Sequence, residues 1–456
     1  MASEESVRLR DVCVKIGSGA TPRGGKEAYK GGATSLIRSQ NIYNDGFHRD
    51  GLVYIDDDQA AELRNVDVRP NDVLLNITGD SVARCCQVAA DVLPARVNQH
   101  VAIIRPQPDA LDAQFLRYVL VSHEYQSRLL ALASAGATRP ALTKAMIEDL
   151  DIPAYPLTEQ RVIANILGVL DDKIELNRRM NETLEGLARA IFQSWFVDFD
   201  PVRAQRDGLP PPALSPATAA LFPDSFHDSE LGKIPKGWST AVLDDVTGFL
   251  IGGDWGKEAP VEDATEAVLC IRGADIPSLQ SGGVGKMPTR YLTASSLTKR
   301  RLRDGDIVFE ISGGSPTQST GRPVLATQAF LERLPLPLTC SNFCRLIRPA
   351  VGISSKYLYC LLRRLYHADE FLQYENGTTG IKNLAFTVFS SIHKFVLPPK
   401  AVMAAFEVMV APIYGKMAQV GFESEKLAAI RDALLPKLLS GEIRVAEAER
   451  LVEDAG

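Results

Sequence analysis

The 456-residue sequence predicts two α+β domains of one kind in tandem, each followed by a long helix. Three observations carry this reading. Blocks of sequence recur once, in order, more than 200 residues apart. Each copy sets short β-branched runs between Gly/Asp-rich turns and then turns helical. Each copy ends in an apolar heptad seam longer than a domain of this size needs to cover its core.

The repeat comes first. Leu36-Ile37-Arg38-Ser39-Gln40-Asn41-Ile42 matches Cys270-Ile271-Arg272-Gly273-Ala274-Asp275-Ile276 at an offset of 234 residues. DVLLNITG, starting at Asp72, matches DIVFEISG, starting at Asp306, at the same offset. VNQHVAIIRP, from Val97, matches CSNFCRLIRP, from Cys340, at 243, so the second copy carries nine extra residues. One duplication spans the chain, and its period excludes solenoids and propellers, whose units run to about 20–50 residues. Runs such as VLLNI and IVFEI read as strands, and 115–132 and 357–374 as helices. Prolines at 201, 210, 211, 212, 216, 223 and 235 make 200–238 an exposed linker without regular elements.

The run LTEQRVIANILGVLDDKIELNRRMNE, from Leu157, opens the first seam. Ile163, Leu167, Leu170, Ile174, Asn177, Asn181, Leu184, Ala188, Ile191 and Trp195 alternate in steps of four and three over 33 residues, roughly 50 Å of helix. Adding 243 gives Phe406, Val410, Ile413, Met417, Val420, Ser424, Leu427, Arg431, Leu434 and Leu438. A single such helix packs as readily on its own domain; two in one register make each the simplest partner of the other. Polar residues in the seam trade stability for fixed register. If the helices run antiparallel, the two copies are related by a pseudo-two-fold. Pro436 is expected to kink or stop the second helix near Leu435.

Composition is that of a globular protein: 45 % hydrophobic, 23 % charged, formal charge −6. The charge opposes non-specific coating of nucleic acid without excluding contact through local basic surface. MASEESVRLRDVCV has neither the basic start nor the apolar stretch of a signal peptide, and no apolar run approaches a membrane span, so a cytoplasmic location is expected. Seven scattered cysteines oppose a disulfide framework, and the lone pair Cys340 and Cys344 reads as buried small hydrophobes rather than a zinc site. There is no phosphate loop, no HExxH and no nucleophile with a plausible base. Of six histidines only His100 lies in a repeated block, opposite Phe343, which favours packing over catalysis.

Polar residues at the ends of the repeated strands differ between copies: Arg38, Gln40 and Asn41 against Arg272, Ala274 and Asp275; Asn76 and Thr78 against Glu310 and Ser312; Asn98-Gln99-His100 against Ser341-Asn342-Phe343. Arg, Asn, Gln and Glu discriminate base edges, although surface turns are polar in any case. Lys299-Arg300-Arg301-x-Arg303 suits phosphate or a solvated face.

LTEQRVIANILGVLDDKIELNRRMNETLEGLARAIFQSWFVDF, the repeated blocks, GKIPKGW at 232–238 and IRDALLPKLLSGEIRV at 430–445 resemble the specificity (S) subunit of type I restriction-modification systems, over nearly the whole chain. The resemblance implies target recognition domains at 1–156 and 238–399, spacer helices at 157–199 and 400–445 paired as an antiparallel coiled coil, a linker at 200–237 and a tail at 446–456. It implies a non-catalytic subunit that reads a bipartite asymmetric site on double-stranded DNA, one half per domain, with the spacer helices setting the unread gap. The partners implied are methyltransferase (M) subunits carrying S-adenosylmethionine and a restriction (R) translocase-nuclease using ATP and Mg, with no cofactor on this chain and no membrane. Position in the repeat and side-chain type nominate Arg38, Gln40, Asn41, Thr78, Asn98, Gln99, Arg139 and Lys144 as DNA contacts in the first domain. In the second they nominate Arg272, Asp275, Ser312, Arg322, Asn342, Lys382 and Asn383. Rival readings are a self-sufficient methyltransferase or nuclease, whose Asn/Asp-Pro-Pro-aromatic or carboxylate motifs the sequence lacks, a structural adaptor that ignores DNA sequence, and the specificity subunit of a related type II system.

Overall fold

The computed structural model describes residues 6–22, 29, 31–135, 139–313, 318–377 and 382–453. The chain divides into two compact units, Met1–Lys173 with Leu427–Gly456, and Ile174–Lys426. Each is an α+β body built on the same strand order.

In the first unit one sheet runs Cys13–Ser18, Val101–Pro106, Val73–Asn76, Cys85–Gln87, and a second runs Val53–Ile55, Thr34–Ile37, Ala95–Val97, Asp67–Val68. The second unit repeats the first order as Thr247–Gly252, Cys344–Pro349, Ile307–Glu310, Pro323–Leu325, and the first three strands of the second as Thr289–Thr293, Ala264–Ile271, Leu338–Cys340. Val73–Asn76 and Ile307–Glu310 are buried at every position, which is why both read as continuous apolar runs rather than alternating ones. In both units one pair of the second sheet is parallel: Ala95–Val97 beside Thr34–Ile37, and Leu338–Cys340 beside Ala264–Ile271.

One buried ion pair recurs at the start of the central strand. Asp72, fully buried, accepts from the Arg69 amide at 2.8 Å and takes both arms of Arg105 at 2.7 and 2.8 Å. Asp306, equally buried, accepts from the Arg303 amide at 2.8 Å and takes both arms of Arg348 at 2.7 Å. Glycine marks a second shared contact: a Cβ at Gly19 would overlap the Val97 carbonyl, and one at Gly253 the Ser341 carbonyl. At both positions the strand presses directly on the backbone of the third repeated block.

The two long helices run Leu157–Phe196 and Lys400–Leu439. In the first unit Tyr155 Oη donates to the Leu438 and Leu439 carbonyls, and Asp171 accepts from Arg431 at 2.7 Å. Numbers rise along one segment as they fall along the other, so the segments are antiparallel there. In the second unit Asn177 donates to Glu423 at 3.2 Å, Asn181 to the Met417 carbonyl at 3.3 Å, and the Trp195 and Phe406 rings lie 5.9 Å apart, again antiparallel. Of the seam residues, Ile163, Leu167, Leu170, Asn177, Asn181, Trp195, Val410, Ile413, Met417, Val420, Leu427 and Leu434 are buried; Ile174, Leu184 and Ile191 are half-buried. Each helix also packs on its own domain: Gln160 donates to the Ala110 carbonyl and accepts from the Asp112 amide.

Several expectations need correction. The 200–237 stretch is not bare linker: it holds the helix Asp200–Arg206 and a hairpin of Phe226–Ser229 with Gly232–Pro235. Pro201 stands in the helix's first turn, where proline costs no hydrogen bond. Phe222 and Trp238 close a buried aromatic cluster with Trp195, Phe196 and Phe199. Residues 115–132 form two helices, Ala113–Val121 and His123–Ser134, because Ser122 leaves helical geometry to cap the second. The second long helix passes Pro436 and ends at Leu439, not near Leu435 and not at 445. Pro436 forfeits one bond in the last turn, whereas Leu434, Leu435 and Leu438 are buried there. Gly441, at φ +72°, then turns the chain, and the expected tail contains a further helix, Val445–Glu453, with 454–456 outside the described residues. Finally, Lys400–Leu439 reaches a mean hydropathy of 1.3, enough for a membrane span by length and composition. In the second unit its apolar residues Val402, Met403, Phe406 and Val410 are covered by protein.

Asp171 gathers three donors in the first unit: Arg117, Tyr118 and Arg431. Burial pushes its pKa up, but Arg117 and Arg431 outweigh that and hold it below the usual carboxylate range. Its contribution is therefore fully present above the unfolded value of about 3.9 and lost as pH falls through the folded value. Asp171→Asn is expected to cost about 3 kcal/mol at pH 7 by denaturant unfolding, with the deficit against the parent narrowing below pH 4; a constant deficit across pH would oppose this role.

Candidate nucleic-acid interface

In the first unit the three repeated blocks end side by side. The 3-10 turn Ser39–Asn41, the loop after Val73–Asn76 and the turn at 98–100 surround an open depression lined by Ser39, Gln40, Tyr43, Thr78, Gly79, Asp80, Ser81, Arg84 and His100. In the second unit the equivalent loops surround a depression lined by Gly273, Ala274, Pro277, Glu310, Ser312, Gly313, Gln318, Arg322 and Phe343. The central strands that frame the two depressions are equivalent, and most of the lining residues differ.

The structure divides the nominated contacts. Gln40, Gln99, Arg139 and Lys144 are exposed in the first unit, and Asn342 and Asn383 in the second. Lys144 pairs with Glu148 at 3.4 Å. Thr78 lies on the depression with its hydroxyl 2.7 Å from His100 Nδ1. Arg38 is half-buried and donates to the Gly51 carbonyl, and Ser312 lines the second depression in a short strand beside Lys382–Leu384. Lys382 is half-buried and pairs with Glu375 at 3.1 Å. Arg272 is half-exposed, with Nε and Nη2 each 3.0 Å from Asp275.

Four nominations are buried and hold hydrogen bonds inside the fold. Asn41, fully buried, accepts from the Arg38 amide at 3.1 Å and donates to the His48 and Asp50 carbonyls at 3.0 and 3.1 Å. Asp275, its repeat equivalent, accepts from the Arg272 amide at 3.0 Å and the Lys286 amide at 3.1 Å. Both residues build the turn rather than project from it. Asn98 is buried and accepts from the His100 amide at 3.1 Å. Arg322 is buried and donates through two nitrogens to the fully buried Glu310. Burial alone would lower its pKa, but the Glu310 carboxylate more than offsets that and holds it raised.

Sequence reasoning missed Tyr43, Arg84 and Gln318 and set His100 aside as packing; all four line the depressions. His100 could have been found, since it changes to Phe343 inside an otherwise matched block. Arg84 sits where the second unit has Arg322: the Asn76 amide donates to the Arg84 carbonyl at 2.8 Å, and the Glu310 amide to the Arg322 carbonyl at 3.1 Å. The intervening loops differ in length, so alignment by offset does not pair them.

Chemically, each depression offers hydrogen-bonding side chains at the end of a sheet. Gln40, Thr78, Arg84 and His100 present donors and acceptors in the first. Ser312 and Gln318 do so in the second, beside the apolar Ala274 and the Phe343 ring, 48 % exposed. Such a surface suits recognition of base edges.

Residues 3–186 match the family model of the type I restriction modification DNA specificity domain. The chain is 26 % identical to the type I restriction enzyme MjaIX specificity subunit of Methanocaldococcus jannaschii, covering 96 % of this chain and 93 % of that one. It is 25 % identical to the HindI specificity subunit of Haemophilus influenzae, over 82 % and 87 % respectively. The crystal structure of the type I restriction-modification system S subunit from M. genitalium superposes with a TM-score of 0.54 at 17 % identity, covering 95 % of each chain.

The reassignment of Asp275 is open to test. Asp275→Ala is expected to lower stability by roughly 2–3 kcal/mol, the cost of leaving buried donors unpaired, without changing which DNA sequence is preferred. Altered sequence preference in a variant of unchanged stability would restore it as a contact.

Proposed function

We propose that the chain is a specificity subunit of a type I restriction-modification system and reads a bipartite asymmetric DNA site, one half through the loop cluster of each unit. The observation that carries this is the pairing of one frame with two linings. Asp72–Arg105 and Gly19 recur as Asp306–Arg348 and Gly253, while Gln40, Thr78, Arg84 and His100 give way to Ala274, Ser312, a paired Arg322 and Phe343. A frame that holds its loops alike while the loops differ in donors and acceptors reads two unlike sequences. Affinity would rest largely on phosphate contacts, to which partner subunits contribute, in keeping with the acidic balance of this chain.

In this reading the chain itself catalyses nothing and works in the cytoplasm. Methyltransferase subunits dock on it, bind S-adenosylmethionine and methylate an adenine in each half-site. A restriction subunit joins with ATP and Mg. The unread gap is assigned to the two long helices. The test is co-expression with the methyltransferase subunits followed by mapping of methylated adenines across the host genome. A two-part motif with a fixed gap, lost when this chain is deleted, is expected; methylation indifferent to the deletion would favour the adaptor instead.

A further inference from the structure

The two linings differ most in their arginines. In the first unit Arg84 is half-exposed on the depression, and its guanidinium lies over the Tyr43 ring at 4.6 Å from the centroid. Tyr43 in turn stacks on His48, with ring centroids 4.1 Å apart and planes inclined by 25°, and His48 meets Asp45 at 3.2 Å. The arginine thus rests on a ring that is itself stacked on His48 in the loop that follows the 3-10 turn. Stacking fixes the plane of a guanidinium while leaving its edge donors free. In the second unit the topological counterpart, Arg322, is buried and has its fork closed on Glu310. Asn76, which stands where Glu310 does, instead donates to the Ser39 carbonyl at 2.8 Å, and among the described residues no carboxylate closes on Arg84.

A planar, pre-oriented fork at the end of a rigid strand matches one base in particular. Guanine presents two acceptors, O6 and N7, on its major-groove edge at the spacing of two guanidinium donors. We propose that Arg84 is a specificity-determining residue that reads a guanine in one half-site, and that Arg322 is a positioning residue that reads none. The proposal rests on the function argued above and sharpens it: the half-site read by the first unit contains a G·C pair fixed by Arg84, and the other half-site owes no base to its equivalent.

The chain is co-expressed with its methyltransferase subunits in parental form and as Arg84→Ala, Arg84→Met and Tyr43→Leu, and methylated adenines are mapped for each. In both Arg84 variants one G·C position in one half-site is expected to become degenerate. Discrimination there should fall roughly 5- to 150-fold, the range of one good bidentate pair, with the other half-site and the gap unchanged. Tyr43→Leu is expected to relax the same position to a smaller extent. Because the second half-site is read in the same experiment, its retention reports that each variant is folded and assembled. A motif unchanged at every position, whether methylated at the parental rate or uniformly more slowly, would overturn the proposal and leave Arg84 a phosphate or surface residue. Relaxation at an A·T position would overturn the guanine assignment. If the parental chain itself yields no bipartite motif, the underlying function fails, and that outcome is distinct because it appears without any substitution.

Discussion

The bidentate pair between a fully buried aspartate and an arginine, Asp72 with Arg105 and Asp306 with Arg348, is the interaction on which each unit's geometry depends. An aspartate removed from water survives as a charge only if its lone pairs are filled. Here the fork fills most of them, and a backbone amide three residues earlier supplies another donor. The pair therefore binds the turn before the central strand to the strand beside it. Loss of either partner would strand a buried charge, at a cost of roughly 3–5 kcal/mol. With that turn fixed, the far ends of the same strands are fixed too, and those ends carry the loops around the depression.

In the proposed reading, a frame held at one end and varied at the other gives the duplicated chain two specificities. Close backbone contacts at Gly19 and Gly253 and the turn-building Asn41 and Asp275 hold the loops alike. Side chains projecting from those loops then change without disturbing the frame. The first unit keeps an open arginine, while the second closes its arginine on a glutamate and adds an exposed phenylalanine. Buried ion pairs thus occur in two settings: one shared by both units at the start of the central strand, and one, Glu310 with Arg322, that in the proposed reading takes an arginine out of readout.

Much of this was legible in the sequence because duplication supplies an internal comparison. The central strands were visible as apolar runs, and the long helices as heptads with asparagines that are now buried at 177 and 181. Less visible was anything decided by which way a polar side chain turns. Asn41 and Asp275 vary within a repeated block, which marks them as contacts in the sequence, yet both accept amide hydrogens within their own turn. Arg84 escaped because its loop differs in length from its counterpart. Prolines at 200–237 were read as a bar to structure, but helix first turns and edge strands accept proline, and Phe222 and Trp238 supplied the burial that holds the segment down.

The central claim is that one frame with two linings reads two different half-sites, so the most direct test removes the difference between linings. A chain in which residues 238–399 are replaced by a second copy of residues 1–156, assembled with the methyltransferase subunits, is mapped for methylated adenines. The account predicts a motif in which the same half-site occurs twice. Persistence of the original asymmetric motif, or methylation with no sequence preference, would contradict it.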